Sequence, residues 1–134
     1  MPKKVLVVDD DSDLCEQLKT EIAEQLGCDV DIALNGRDAV AMFFVSRVEQ
    51  PYDLILLDIK MPVFDGKKAL DVIRKNEELQ GVLLGHGVPI IMLTGVTTGV
   101  PDTFYEGCDD YVTKPFKTDF LIKKIAEHLN RKKV

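Results

Sequence analysis

Acidic side chains stand directly after two apolar segments of this sequence. Asp9 and Asp10 follow the run Val5–Val8, and Asp58 follows the run Leu54–Leu57. Burying a lone carboxylate is costly, or forces the group to take up a proton. A charged side chain at the end of a buried segment therefore requires a partner, a metal ion or a chemical role.

Two other polar side chains follow apolar segments later in the chain. Thr94 comes after Pro89–Leu93, and Lys114 comes after Asp110–Thr113. If these residues meet Asp9, Asp10 and Asp58, the three carboxylates repel one another, so that one is protonated or a cation binds. With neither His nor Cys beside these positions, the oxygen ligands favour a hard cation such as Mg²⁺, which retains water molecules and leaves positions for phosphate oxygens.

The same set of side chains contains the components of a phosphoryl-transfer site. Lys114 offers a positive charge suited to a phosphoryl oxygen, and Thr94 offers a hydroxyl donor, with the backbone N–H of Gly95 as another. A carboxylate can serve as the nucleophile and form an aspartyl-phosphate. We therefore predict that Asp58 is the phosphoacceptor of a Mg²⁺-dependent site.

The hydrophobic pattern predicts the elements that must position these residues. Strands one, three and four are almost entirely apolar, which is typical of strands buried on both faces of a sheet. The five predicted strands are Val5–Val8, Val30–Leu34, Leu54–Asp58, Pro89–Leu93 and Asp110–Thr113.

Apolar residues at helical spacing separate the strands and predict five helices. The first carries a stripe from Leu14 to Leu26, is capped by Asp11 or Ser12, and ends at Gly27. The inward-facing residues predicted for the second helix are Ala39, Val40, Phe43, Phe44 and Val48, and those predicted for the last are Phe120, Leu121, Ile125 and Leu129. The remaining helices are predicted from about Gly66 to Glu78, as a short helix starting near Pro101, and, for the last, from about Thr118 to Asn130.

Strands that alternate with helices predict an α/β fold with a parallel sheet and helices on both faces. The length of 134 residues, without repeat or linker, predicts a single domain over residues 1–134. If the strand order is 2-1-3-4-5, strands one and three are neighbours where the order reverses. Asp9, Asp10 and Asp58 then share one crevice, facing Thr94 and Lys114.

Composition excludes several other classes of protein. The net charge of −6 argues against nucleic-acid binding through the whole surface and against an anionic membrane as partner. We find no apolar run long enough to span a bilayer and no signal-peptide core at the N-terminus. The three scattered cysteines, Cys15, Cys28 and Cys108, are interpreted as reduced thiols in the cytoplasm.

Four segments, each at a predicted strand end, carry a recognisable combination of residues. They are Val7-Val8-Asp9-Asp10, Leu57-Asp58-Ile59-Lys60-Met61-Pro62 with Asp65-Gly66, Ile90-Ile91-Met92-Leu93-Thr94-Gly95, and Asp110-Tyr111-Val112-Thr113-Lys114-Pro115-Phe116. Taken together and in this order, they resemble the receiver domains of two-component response regulators, and the resemblance covers nearly the whole chain.

The resemblance implies a flavodoxin-like (βα)5 fold and phosphorylation of Asp58 by a histidine kinase or a histidine phosphotransfer protein. It implies that Mg²⁺, for which Mn²⁺ could substitute, is held by Asp10, Asp58 and the backbone carbonyl of Lys60, while Asp9 holds the metal or a water bound to it. Thr94 and Lys114 would bind the phosphoryl group, and the bond between Lys114 and Pro115 matches a position that is usually cis in the family.

The resemblance also implies a switch and an output surface. Tyr111 matches the family's switch aromatic, which turns inward when Thr94 moves toward the phosphoryl group. A downstream protein would bind the fourth predicted helix, the fifth strand and the last helix, without direct nucleic-acid contact or membrane insertion. The chain would catalyse only its own phosphorylation and slow dephosphorylation.

Two features depart from the family pattern. The stretch from Asn76 to Val88 is longer than usual and carries three glycines and His86, and the segment between Thr94 and Tyr111 is shorter. Two other interpretations stay open. One is an aspartyl-phosphate phosphohydrolase, although such enzymes usually carry an acid where this chain has Lys60. The other is a receiver-like binding module that functions without phosphate.

Overall fold

Five parallel strands form one sheet in the order β2-β1-β3-β4-β5. The structure is a computed structural model and describes residues 2–61, 64–95 and 106–131. The strands are β1 (Lys4–Val8), β2 (Asp29–Ala33), β3 (Leu54–Asp58), β4 (Ile90–Thr94) and β5 (Asp110–Thr113). The predicted flavodoxin-like strand order is confirmed, and each predicted strand lies within one residue of its observed bounds.

Four helices cover the sheet within the described residues. They are α1 (Ser12–Leu26), α2 (Gly36–Val48), α3 (Gly66–Leu79) and α4 (Thr118–Asn130), the last being the fifth helix of the predicted series. The short helix predicted near Pro101, and the turn at Pro62, fall outside the described residues. No helix in the described part of the chain has the length and apolar character that a bilayer crossing requires.

Local capping sets where the helices begin and end. Asp11, Asn35 and Asp65 lie at the N-caps of α1, α2 and α3, and each side chain accepts hydrogen bonds from backbone N–H groups of the first turn. Gly27 ends α1 with φ of 67°, a left-handed conformation that glycine adopts without steric cost. The predicted caps of α1 are thus confirmed, with Asp11 as the capping residue.

The sheet separates two apolar cores because successive strand residues point to opposite faces. Val5 and Val7 of β1 pack in the core beneath α1 and α4, whereas Leu6 and Val8 pack in the core beneath α2 and α3. All five residues of β3 and all five of β4 are buried. This double burial explains why these strands are continuous apolar runs rather than alternating ones.

Three residues predicted to face inward do not. Val48, at the end of α2, is 86% exposed. Phe44 is 42% exposed and Phe120 is 50% exposed, whereas their neighbours Phe43 and Leu121 are buried. Adjacent helical residues are about 100° apart around the axis, so the inward direction taken by one is closed to the next. Lys124 instead covers the Phe120 ring, with its ammonium 5.7 Å from the ring centroid.

The long segment between α3 and β4 is fastened by a buried carboxylate. Glu77 accepts hydrogen bonds from the Arg74 guanidinium (2.7 Å) and from the backbone N–H of Val88 (2.7 Å). Arg74 also donates to Asp109 (2.9 Å) and to the carbonyl of Gly107 (2.6 Å). This polar network connects the stretch from Asn76 to Val88, which is longer than usual in the family, to the residues just before β5.

Candidate functional site

The pairing register of the sheet brings the predicted site residues to one level. Val8 of β1 pairs with Leu57 of β3, so that the residues that follow them, Asp9 and Asp58, lie side by side at the carboxyl edge. Asp58 in turn pairs with Leu93 of β4, which is followed by Thr94. Adjacent parallel strands in this register place three functional side chains in one row.

The same register carries Lys114 into the site from β5. Thr94 pairs with Thr113, and the backbone N–H of Lys114 donates to the carbonyl of Thr94 at 2.7 Å. The peptide bond between Lys114 and Pro115 is cis, as the resemblance implied. Lys114 thus leaves the sheet directly beside the buried Thr94.

Lys114 bridges two buried carboxylates. Its ammonium nitrogen lies 2.8 Å from Asp9 Oδ2 and 3.4 Å from Asp58 Oδ1. Asp9 is 1% exposed and Asp58 is 5% exposed, so both negative charges are almost fully removed from water. The other oxygen of Asp9, Oδ1, accepts the backbone N–H of Asp11, which orients the carboxylate.

Asp58 is held in an environment that disfavours its charge. Burial raises its pKa to about 6, and the nearby negative charges of Asp9 and Asp10 act in the same direction. The ammonium of Lys114 opposes this effect without cancelling it. A metal-free Asp58 therefore titrates close to neutral pH, which is unusual for an aspartate and typical of functional sites.

The Lys114 ammonium responds in the opposite sense. Burial alone would lower its pKa, but the hydrogen bond from Lys114 to Asp9 and the charges of Asp9 and Asp58 outweigh burial and raise it. Lys114 is thus positively charged at physiological pH, and its ammonium lies between the carboxylates of Asp9 and Asp58.

The acidic residues meet the requirements of a hard divalent cation. Oxygen atoms of Asp9, Asp10 and Asp58 lie within 4.8 Å of one another. Asp10 is exposed and borders an open cavity of about 410 Å³ that Lys60, Met61 and Asp65 also line. A set of oxygen donors that opens to water suits Mg²⁺, which keeps part of its hydration shell.

The remaining predicted residues are placed as follows. Thr94 is buried at 2% exposure, one strand from Asp58, and Tyr111 lies on β5 with 48% of its surface exposed. Lys60 is exposed and follows Asp58 by two positions. The structure thus brings Asp9, Asp10, Asp58 and Lys114 into one cluster, with Thr94 beside it and Tyr111 farther along the outer strand.

Sequence reasoning did not anticipate the structural role of Gly66. A Cβ atom added at Gly66 would collide with the backbone carbonyl oxygen of Asp58, and the N–H of Gly66 donates to the carbonyl of Ile59 at 3.0 Å. The N-terminus of α3 therefore packs directly on the backbone of the predicted phosphoacceptor. Gly66 belonged to a quoted motif, but its contact with Asp58 is visible only in three dimensions.

Comparisons with known proteins agree with this geometry. The family model for the response regulator receiver domain matches residues 5–126. The receiver domain of Francisella response regulator 1452 is 33% identical, with a TM-score of 0.78 over 98% of this chain and 99% of the other. The response regulator TrrA from Thermotoga maritima, solved in complex with Mg²⁺ and BeF, is 35% identical, with a TM-score of 0.76 over 94% of this chain and 98% of the other. The chemotaxis protein CheY4 from Vibrio cholerae is 26% identical, with a TM-score of 0.75 over 95% of this chain and 98% of the other.

Proposed function

This chain belongs to the response regulator receiver domain family, and we propose that Asp58 is its phosphoacceptor in a two-component phosphorelay. The observation that carries the proposal is the buried Asp58 carboxylate, which shares Lys114 with Asp9 at the carboxyl edge of the sheet. The donor would be the phosphohistidine of a histidine kinase or of a histidine phosphotransfer protein.

Phosphoryl transfer needs an ionised nucleophile. One oxygen of Asp58 attacks phosphorus, a new P–O bond forms, and the P–N bond of the donor breaks, so that the imidazole leaves with the bonding electrons. Because Asp58 has a pKa of about 6 in the metal-free protein, most molecules carry the reactive carboxylate at pH 7.5. Lys114 already lies 3.4 Å from Asp58 and supplies a positive charge for the added phosphoryl oxygens.

Mg²⁺ would be held by Asp10, by Asp58 and by the backbone carbonyl of Lys60, with Asp9 holding the ion or its water. When bound, the ion supplies positive charge that offsets the repulsion between the acids and the incoming phosphoryl oxygens. The oxygen-only donor set of Asp9, Asp10 and Asp58 supports this assignment, and the same donors accept Mn²⁺.

The phosphoryl group would be read through Thr94 and Tyr111. Thr94 lies one strand from Asp58 and would donate its hydroxyl to a phosphoryl oxygen. Tyr111 occupies the position of the switch aromatic and is partly exposed on β5. A downstream protein would bind the surface formed by β5, by α4 and by the segment before β5, which extends beyond the described residues.

The chain would act as a signalling protein in the cytoplasm rather than as an enzyme on other substrates. An aspartyl-phosphate phosphohydrolase usually requires an acid two residues after the nucleophile, and this position holds Lys60, whose side chain is exposed. The three cysteines are free thiols, which favours a reducing compartment.

The test is chemical labelling of the purified chain with acetyl phosphate and Mg²⁺. We expect one phosphate per chain that is lost on acid treatment and absent in Asp58→Asn, measured by intact mass and Phos-tag electrophoresis. The matched control is Asp13→Asn, an exposed aspartate in the first turn of α1, which should be labelled like the wild type. Stoichiometric labelling of Asp58→Asn would contradict the proposal.

A further inference from the structure

A second cavity lies at the amino ends of the strands, whereas Asp58 lies at their carboxyl ends. Its volume is about 370 Å³, near the lower end of the usual range for small-molecule sites. It is bordered by the residue before β1, the end of α2, the approach to β3, the segment before β4 and the end of α4. No part of the phosphorylation site contributes to this cavity.

Positive charge dominates the cavity wall although the whole chain is acidic. Three residues of the wall are permanently cationic, Lys3, Arg47 and Arg131, and only one, Asp53, is anionic. Asp53 accepts the backbone N–H of Lys4 at 2.8 Å, which orients its carboxylate. The net charge of the chain is −6, so the excess of cationic side chains at this cavity is opposite in sign to the charge of the whole chain.

Arg47 has features that suit the binding of an anion. Its guanidinium lies 5.3 Å from the centroid of the Phe43 ring. The described part of the chain offers it no ion pair, whereas Arg131 pairs with Asp109 at 3.0 Å. The planar fork of guanidinium donors suits phosphate recognition, and the ring contact restricts its movement.

The other groups of the wall add hydrogen-bonding capacity. The Lys3 ammonium donates to the carbonyl of Leu129 at 2.9 Å, which leaves two of its three donors. His128 contacts Asp110 through Nε2 at 3.0 Å, while its buried Nδ1 has no hydrogen-bond partner among the described residues. Because Nδ1 is shielded from solvent, the hydrogen-bonding capacity that stays open to a ligand is that of Lys3.

The rest of the wall is apolar or aromatic. Phe43, Tyr52, Pro51, Val88, Pro89 and Leu129 contribute to it. We propose that this cavity binds a small organic phosphate, with the phosphate on Arg47 and Lys3 and an apolar or aromatic body against Phe43 and Tyr52. Such a ligand would join the end of α2 to the segment before β4, on the side of the sheet away from Asp58.

Phenylphosphonate is a suitable probe because its C–P bond cannot donate a phosphoryl group to Asp58. We expect a metal-free titration, followed by ¹H–¹⁵N spectra, to give saturable shifts at residues 43–53, 86–89 and 128–131. Arg47→Gln should weaken binding by about tenfold or more, since it removes a charge-assisted hydrogen-bond donor. The control is Arg37→Gln, an exposed position at the other end of α2, which should bind like the wild type.

Two further compounds separate the parts of the ligand. Inorganic phosphate tests the head group and benzyl alcohol tests the apolar body, and both should bind more weakly than phenylphosphonate. The proposal would be overturned by any of three results. These are an unchanged affinity of Arg47→Gln for phenylphosphonate, chemical-shift changes confined to the surroundings of Asp58, and the absence of saturable chemical-shift changes. Equal affinity for inorganic phosphate would overturn the proposed role of Phe43 and Tyr52. Matching circular dichroism spectra of the variants would show that the fold is retained.

Discussion

At the scale of single residues, the site combines a buried aspartate, the predicted phosphoacceptor, with a half-buried positive charge. Asp58 and Asp9 are both nearly inaccessible to water, and Lys114 contacts each of them. Burial raises the pKa of Asp58, the negative charges of Asp9 and Asp10 raise it further, and the single ammonium of Lys114 does not cancel these effects. The site is therefore electrostatically strained without a cation, which is the physical basis for expecting metal binding.

The raised pKa of Asp58 predicts that Asp58→Asn stabilises the metal-free protein. Above about pH 6 the folded wild type holds an ionised Asp58 at a free-energy cost that the unfolded chain does not have. The variant should gain about 1–3 kcal/mol in free energy of unfolding at pH 7.5, as a pKa rise from 3.8 to about 6 implies.

The sign of the pH dependence provides the check. As pH falls from about 6 toward 3.8, the folded wild type takes up a proton at Asp58 before the unfolded chain does, so the advantage of Asp58→Asn should shrink. Urea unfolding in EDTA between pH 8 and pH 5 measures this difference. The control Asp13→Asn should not reproduce the gain, and a constant difference across this range would count against the raised pKa.

At the scale of elements, the contact between α3 and β3 fixes the position of Asp58. Gly66 lies against the carbonyl oxygen of Asp58, while Asp65 caps the helix by accepting the N–H of Lys68 at 2.9 Å. At the other end of α3, Arg74 and Glu77 tie the helix to Asp109 and to Val88. The helix is thus anchored to the sheet at both ends.

Gly66→Ala should destabilise the fold and disturb the site together. The added Cβ meets backbone rather than a flexible side chain, so the N-terminus of α3 or the end of β3 must move. We expect a loss of about 1–3 kcal/mol in free energy of unfolding and slower phosphorylation by acetyl phosphate. Gly95→Ala makes the same change where a Cβ meets nothing within 4 Å, and its stability should stay near that of the wild type.

At the scale of the whole molecule, the two edges of the sheet carry opposite charge character. Three acids and Lys114 gather at the carboxyl edge, whereas Lys3, Arg47 and Arg131 surround the cavity at the amino edge. The strand order places β3 at the centre with β1 and β4 beside it, so that both ends of the sheet are built on the same three buried strands. A cation at one edge and an anion at the other would each relieve local repulsion.

Mg²⁺ should stabilise the whole fold through the acidic edge. A ligand that binds only the folded state adds RT ln(1 + [L]/Kd), which is about 2.7 kcal/mol at one hundred times Kd. We expect millimolar MgCl₂ to raise the Tm of the wild type by several degrees, and to raise that of Asp10→Asn by much less. NaCl at matched ionic strength is the control, and an equal rise with NaCl would indicate screening rather than binding.

The sequence by itself determined the succession of the described strands and helices along the chain, and the residues at the carboxyl end of each strand. This follows because strands buried on both faces must be continuous apolar runs, and because a charge that ends such a run stands out. The same periodicity did not separate Phe43 from Phe44 or Phe120 from Leu121, since neighbouring apolar residues of a helix compete for one inward direction.

Only the tertiary structure decided which side chains from distant parts of the chain lie next to one another. The register of Val8 with Leu57 set Asp9 beside Asp58, and the pairing of β4 with β5 delivered Lys114 to both. The close approach of Gly66 to the Asp58 carbonyl depends on how α3 returns to the sheet. Distances, burial and shifted pKa values are properties of such juxtapositions, so they emerge only when the chain has folded.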